Sequence, residues 1–320
     1  MKIAILDDWT QDAAKSADWQ RLGSEHEVEI FTDTVSGQAL IKRLQDADII
    51  CAMRERTSFS REVIESLPKL KAIITSGMRN AAIDLAACDA AGIVVSGTDS
   101  PGHATAELAM TLIGALARQI VPNANSMQNG AWQITAGRDL KGARLGILGL
   151  GRLGTAVAKL GQAYGMNVQA WSQNLTPERA AEEGVIYCEK DNFFASSDFI
   201  SIHLKLSARV VGLVGAPELA LMKPTSFLVN TSRAPIVDQS ALITALEEGR
   251  IAGAALDVYD TEPLPAEDRL RSVPNLILTP HIGYVTEETM QVFHGQMLES
   301  VEAFLAGKPV RLLSSASTAG

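Results

Sequence analysis

The chain has 320 residues, 47% of them hydrophobic and 20% charged, which suits two ordinary cores and excludes a disordered or fibrous protein. With 28 Lys and Arg against 37 Asp and Glu its formal charge is −9, so a phosphate backbone or an anionic membrane surface is repelled, and neither nucleic acid nor membrane is expected as a partner. Cys51, Cys88 and Cys188 stand far apart with no C-x-x-C spacing, which argues against a disulfide framework and a thiolate metal site and for a reducing, cytoplasmic setting. The first apolar run is broken by Asp7 and Asp8, too early for a signal peptide. No apolar run reaches the ~18 residues of a membrane span.

In chain order, short apolar runs at Lys2–Leu6, Val28–Phe31, Ile49–Met53, Lys71–Thr75 and Ile93–Ser96 read as buried strands, with helical patterns between them at Ser36–Gln45 and Ser60–Ser66. Continuous apolar strands separated by helices imply a parallel sheet covered on both faces. After Ser100 and Pro101 a helix is expected over Ala104–Arg118, apolar on all sides and so placed between two domains. A second alternating series follows, with strands at Arg144–Leu148, Asn167–Trp171, Phe199–His203, Ser226–Asn230, Gly253–Val258 and Leu276–Thr279. A last helix covers Thr286–Leu305, and the small residues of Ser314–Gly320 suggest a disordered tail. The pattern is two doubly wound α/β units, the second inserted into the first, with a ligand expected in the cleft between them.

Gly149, Gly151 and Gly154 form G-x-G-x-x-G directly after the run Leu145–Leu148 and at the start of the helical stretch Thr155–Tyr164. Such glycines permit a tight turn, close approach of the backbone to a pyrophosphate, and close helix–strand packing, while the helix N-terminus binds the phosphates. The following strand ends at Trp171, where an Asp or Glu ordinarily holds the adenosine ribose. This chain has Ser172, Gln173 and Asn174 there. Without that carboxylate NADP is favoured over NAD, with dual use open; Arg179 is the nearest basic residue in sequence.

Arg233, Glu262 and His281 each follow a strand of the second series, where open α/β sheets bind ligands. Hydride transfer to a ketone leaves charge on oxygen, which calls for a proton donor and a fixed cation. Arg233 suits the gripping of a carboxylate, His281 the donation of a proton, and Glu262 the holding of the imidazole in its charged form. Each has a bland alternative: Arg233 as a partner of Asp238, Glu262 as a solvated loop carboxylate, His281 as a loop histidine. His103 is the rival acid.

G-L-G-R-L-G, N-T-S-R-A-P-I-V-D, A-L-D-V-Y-D-T-E-P and T-P-H-I-G, in this order and spacing, resemble the D-isomer-specific 2-hydroxyacid dehydrogenase family from about Lys2 to Leu305. The resemblance implies a Rossmann nucleotide-binding domain (100–285) inserted into a flavodoxin-like substrate domain (1–99 and 286–320). It makes Arg233, Glu262 and His281 catalytic. It assigns Arg54, Met78 and Arg79 to the substrate, although most relatives carry Gly at the position of Arg79. It assigns Thr105, Gly149, Gly151, Arg152, Leu153, Gly154, Ser172, Gln173, Asn174, His203, Leu204, Thr231, Asp257 and Gly283 to the cofactor, with Asp257 on the nicotinamide carboxamide. Lys205 stands where relatives commonly have Pro. No metal site is implied.

The function implied is NADP- or NAD-dependent interconversion of a small 2-keto acid and its 2-hydroxy acid, glyoxylate and hydroxypyruvate first, by a homodimer joined through the nucleotide domain. The rivals are 3-phosphoglycerate oxidation, which Arg54 favours, and a dinucleotide-sensing protein like the corepressors of this fold. Formate oxidation is disfavoured because relatives that perform it lack the Glu kept here at Glu262.

Overall fold

Runs of two to five residues alternate with helices, and in a computed structural model, which describes residues 1–318, they build two sheets. In chain order the elements are β1 (Lys2–Ile5), α1 (Ala13–Ser16), β2 (Glu27–Ile30), α2 (Gly37–Leu44), β3 (Ile49–Ala52), α3 (Arg61–Glu65), β4 (Ala72–Thr75), α4 (Leu85–Ala91) and β5 (Val94–Ser96). There follow α5 (Ala104–Ala117), α6 (Ile120–Gln128), β6 (Arg144–Leu148), α7 (Arg152–Ala163), β7 (Asn167–Trp171), α8 (Pro177–Glu182), β8 (Ile186–Tyr187), α9 (Lys190–Ser196) and β9 (Phe199–Ile202). The chain continues with α10 (Ala216–Leu221), β10 (Phe227–Asn230), α11 (Gln239–Glu247), β11 (Gly253–Leu256), β12 (Leu276–Leu278), α12 (Glu287–Leu305) and β13 (Leu312–Leu313).

These elements divide into two units. One is Met1–Pro101 with the chain from Val285 onward, the other Gly102–Tyr284. The first carries the sheet β13-β5-β4-β3-β1-β2, parallel except for β13, and its order reverses between β1 and β3. The second carries the all-parallel sheet β12-β11-β10-β9-β6-β7-β8, which reverses between β6 and β9. Two doubly wound parallel-sheet domains are thus what the apolar runs build.

The second sheet shows why its strands are apolar on both faces. Leu145, Ile147, Phe199, Phe227 and Val229 pack on one face, and Leu148, Ile200, Ile202, Leu228 and Leu256 on the other. Side chains alternate across a strand, so a sheet covered on both faces needs apolar residues at every position. In register, Phe199 pairs with Phe227, and their rings stack at 5.3 Å. Short polar side chains start the helices: Ser60, Asp84, Thr176, Asp238 and Thr286 each accept a first-turn backbone N–H.

The apolar helix spans Ala104–Ala117 with Arg118 as its C-cap, as expected; beyond it Gln119 takes a left-handed φ of 51°, and α6 departs at 65°. Gln119 braces the bend by donating from Nε2 to Leu116 O at 3.0 Å. Within its own unit α5 packs on α7, β10 and β11. Among the described residues no single helix is long and apolar enough to cross a membrane.

Contrary to expectation, the tail from Ser314 is ordered as far as it is described. β13, just before it, pairs antiparallel with β5, placing Leu313 opposite Val95. Ser315 then donates from N and Oγ to Asp89 Oδ2 at 3.0 and 2.6 Å, and Ser315–Thr318 forms a 3-10 turn. Ala319 and Gly320, also part of the tail expectation, lie outside the described residues.

Candidate active site

The glycine turn lies where the second sheet reverses, at the carboxyl ends of β6 and β9. Gly149 has a φ of +103°, and its N–H donates to Trp171 O at 3.0 Å. A Cβ on Gly149 would meet His203 O at 2.9 Å and Leu204 Cδ2 at 2.8 Å, so His203 and Leu204 wall the turn. A Cβ on Gly154 would run into the Gly149 carbonyl; one on Gly151 would meet nothing within 4 Å. The turn is therefore packed at its first and third glycines and open at its second. The helical ladder starts with Thr155 N to Gly151 O at 2.8 Å, which leaves the first-turn N–H groups of α7 at Arg152, Leu153 and Gly154 without helical acceptors. Arg152 is exposed, with its guanidinium against Gly102.

Ser172, half-buried, and the exposed Gln173 and Asn174 form the turn after β7. Gln173 Nε2 donates to Arg209 O at 3.4 Å. Arg179 is spent elsewhere: its Nη1 and Nη2 donate to Glu182 and Glu183 at 2.9 and 2.8 Å.

Arg233, Glu262 and His281 belong to one constellation. His281 Nδ1 lies 2.6 Å from Glu262 Oε2, and Glu262 Oε1 accepts the Tyr259 N–H at 2.9 Å. Burial pushes the Glu262 carboxyl up. The hydrogen bond and charge of His281, the Tyr259 N–H and the nearby Arg233 charge outweigh it, so the net position is below the usual carboxylate range. Arg233 leaves β10 through a turn braced by buried Asn230, which donates from Nδ2 to Arg233 O and accepts from Ser232 N, both at 3.0 Å. Its Nη1 donates to Ser232 O at 2.8 Å. An imidazole aimed by a carboxylate beside a guanidinium is equipped to move one proton and hold an anion.

His281 has a φ of +53°, a left-handed conformation in which histidine is commoner than most non-glycine residues. Asp257, fully buried, fixes the loop around it. Its Oδ1 accepts Thr279 Oγ1 at 2.6 Å and Ile282 N at 2.9 Å, and its Oδ2 accepts Gly283 N at 2.8 Å. Burial pushes this carboxyl upward. The Tyr259 hydroxyl closes the same loop, 3.0 Å from Leu256 O and 2.8 Å from Thr279 O. A Cβ on Gly283 would meet Asp257 Oδ2 at 3.1 Å and Thr105 Cγ2 at 3.3 Å, which places Thr105 in the group. Asn230, Tyr259 and Thr279 were missed by sequence reasoning. Their only local signal is that polar residues end or follow apolar strands.

The rival histidines stand apart. His103 is exposed before α5 with no carboxylate partner among the described residues. His203 lies 2.8 Å from Ser201 Oγ through Nε2, and burial pushes it down to about 4, so it is neutral near pH 7.

In the other unit, Arg54 follows β3 at the sheet reversal with a φ of +50°. Its N donates to Ser76 Oγ at 2.8 Å, and its guanidinium lies against Gly77 and 3.6 Å from Glu55. Asn80 Nδ2 donates to Arg54 O at 2.5 Å, closing the loop that carries the exposed Met78 and Arg79.

A nicotinamide dinucleotide fits the second unit. A Cβ on Gly151 would meet nothing within 4 Å, the first-turn N–H groups of α7 lack helical acceptors, and Thr231 Oγ1, just after β10, is buried with no hydrogen-bond partner among the described residues. No group of three His, Cys, Asp or Glu positioned to hold a metal occurs among the described residues.

Known proteins resemble this chain over nearly its whole length. The sequence model described as D-isomer specific 2-hydroxyacid dehydrogenase, NAD binding domain, matches residues 110–283. A glyoxylate reductase of Thermococcus litoralis is 35% identical over 88% of this chain and 88% of its own length. A glycerate dehydrogenase of Methylorubrum extorquens is 33% identical over 98% of this chain and 99% of its own. The crystal structure of a phosphoglycerate oxidoreductase from Vibrio cholerae superposes with a TM-score of 0.91 at 35% identity, covering 96% of this chain and 99% of that one. The chain belongs to the D-isomer-specific 2-hydroxyacid dehydrogenase family and is a nicotinamide-dependent oxidoreductase acting on a CH–OH group.

Proposed function

We propose that this protein reduces a small 2-keto acid, glyoxylate or hydroxypyruvate first, to its D-2-hydroxy acid, with His281 as the proton donor, and runs the reverse oxidation when the ratio of substrates demands it. The observation that carries the reading is the 2.6 Å pair between His281 Nδ1 and Glu262 Oε2 beside Arg233. With Nδ1 committed to the carboxylate, Nε2 is the atom that gives up or takes the proton. Glu262 holds the ring and stabilises its charged form. Arg233 presents two or more N–H groups to the carboxylate and the developing alkoxide. When bound, the nicotinamide supplies or accepts the hydride at the substrate's C2. Thr231 offers its unpaired hydroxyl to the cofactor, and Asp257 holds the loop on which His281 stands. The Met78 and Arg79 amides are proposed as carboxylate contacts.

Initial rates of NADPH and NADH oxidation against glyoxylate, hydroxypyruvate, pyruvate and phosphohydroxypyruvate test this. Fast turnover of one of the first three is expected. Exclusive use of phosphohydroxypyruvate would move the protein to 3-phosphoglycerate oxidation, the second reading, which the Arg54 guanidinium beside the Gly77–Arg79 turn favours. No turnover with any acid, despite nucleotide binding, would refute the enzyme reading and point to a nucleotide sensor.

Self-association through the nucleotide-binding unit is part of the proposal. Ile120, Val121 and Met127 on α6, with Trp132 and Ile134 after it, are exposed, Trp132 at 73%. By contrast α5 is largely buried within its own unit. Light scattering should give twice the chain mass, and Trp132→Ser should shift it toward the monomer; a monomeric wild type would remove this element.

A further inference from the structure

Four basic residues, Arg179, Lys190, Lys205 and Arg209, follow the Ser172–Asn174 turn up to Val210. Lys205 is exposed and shares no hydrogen bond with the turn among the described residues, and the other three differ in what they already hold. Arg179 donates to Glu182 and Glu183. Lys190 donates to Glu218 at 2.6 Å and sits 5.9 Å from the Trp171 ring centroid. Arg209 is exposed, and among the described residues its guanidinium enters no hydrogen bond or ion pair.

The backbone of Arg209 is nevertheless fixed at the turn. Gln173 Nε2 donates to Arg209 O, Val210 N donates to Ser207 O at 3.0 Å, and the Val210 side chain is buried in the core of this unit. A residue with a free cation is thus tied by its backbone to a turn with no carboxylate, in a chain whose net charge is −9. The open position beside Gly151 puts the phosphates of a dinucleotide at the start of α7, and the strand after that helix, β7, ends at this turn. An anion on the adenosine ribose would arrive where Arg209 is the uncommitted one of the two guanidinium groups.

We propose that Arg209 receives the 2′-phosphate of the adenosine ribose, which makes this subsite one for NADP(H), with Ser172, Gln173 and Asn174 completing it by neutral hydrogen bonds. The inference rests on the nucleotide site and the NADP preference read from Ser172–Asn174. A planar guanidinium meets phosphate oxygens through two parallel N–H groups, a geometry that an ammonium matches only as a point charge.

Calorimetric titration of the intact protein with 2′,5′-ADP and with 5′-AMP tests this without turnover. The wild type should prefer 2′,5′-ADP by roughly tenfold, the worth of one charge-assisted contact at an exposed site. Arg209→Ala should abolish most of that preference while leaving 5′-AMP affinity within twofold. Arg209→Lys should keep part of it, and Arg179→Ala all of it. If the wild type prefers 2′,5′-ADP and Arg209→Ala keeps the full preference, or weakens both ligands alike, Arg209 is not the receiver although the NADP reading stands. If the wild type shows no preference, the NADP reading itself fails and this assignment with it.

Discussion

Gly151 and Gly154 stand three residues apart in one turn, and alanine at each should act on a different property. At Gly154 a Cβ would lie far inside contact distance of the Gly149 carbonyl oxygen and 3.0 Å from both its carbon and Ile147 Cγ2. The first two are backbone atoms and Ile147 is fully buried, so the clash can be relieved only by moving the turn away from the helix. Overpacking of this kind costs about 1–3 kcal/mol. The stiffer unfolded chain of the alanine variant returns about 0.4–1 kcal/mol, which leaves Gly154→Ala destabilised by roughly 1–2 kcal/mol. For a unit of this size that is a fall in Tm of about 2–8 °C. At Gly151 the φ of −89° and ψ of −164° suit alanine, and nothing lies within 4 Å. Gly151→Ala should melt within a degree or two of the wild type, yet bind NADPH and NADH about tenfold or more weakly, because its methyl fills the space through which a pyrophosphate approaches the backbone. Differential scanning calorimetry and nucleotide titration on both variants read the two effects separately. Unaltered nucleotide binding by Gly151→Ala would refute the placement of the phosphates, and a raised Tm for Gly154→Ala would refute the packing argument.

Two further outcomes follow from the titrating groups. Burial holds His203 near 4 against 6.5 when exposed, so the unfolded chain binds more protons in that interval and stability is complete above pH 6.5 and lost as pH falls toward 4. Between pH 8 and pH 5 this group alone should remove about 2 kcal/mol in urea unfolding, and His203→Asn should flatten the slope; an unchanged slope would show that the imidazole is not buried in its neutral form. Glu262 lies below the usual carboxylate range and stays charged throughout an assay near neutrality. Glu262→Gln removes that charge and the carboxylate that accepts from His281 Nδ1 at 2.6 Å, so keto-acid reduction should slow about tenfold or more, with nucleotide affinity unchanged. Unchanged turnover would separate Glu262 from the proton transfer.

The strands and the nucleotide turn were legible because their signals are local. A sheet covered on both faces writes its strands as unbroken apolar runs, and G-x-G-x-x-G states its backbone demands within six residues. Arg233, Glu262 and His281 were legible as three strand-end residues, and their assembly followed from the parallel sheet that aligns those ends. What stayed hidden depends on distant partners. Gln119 carries no turn signal, yet turns the chain from α5 into α6. Leu312 and Leu313 form a strand only because β5 offers a free edge. Asp257 reads as a ligand contact, but its oxygens take three bonds from a loop more than twenty residues later. Arg209 lies 36 positions from Gln173, and no spacing rule joins them.

Replacement of His281 tests the proton-transfer assignment most directly, and asparagine is the appropriate substitute because it tolerates the left-handed φ of 53° at that position. With saturating cofactor and keto acid, His281→Asn should turn over about 10²–10⁴-fold more slowly than the wild type. Its nucleotide affinity should stay within twofold, showing that the Rossmann site is intact. Turnover close to that of the wild type would contradict the role of His281 and pass it to His103.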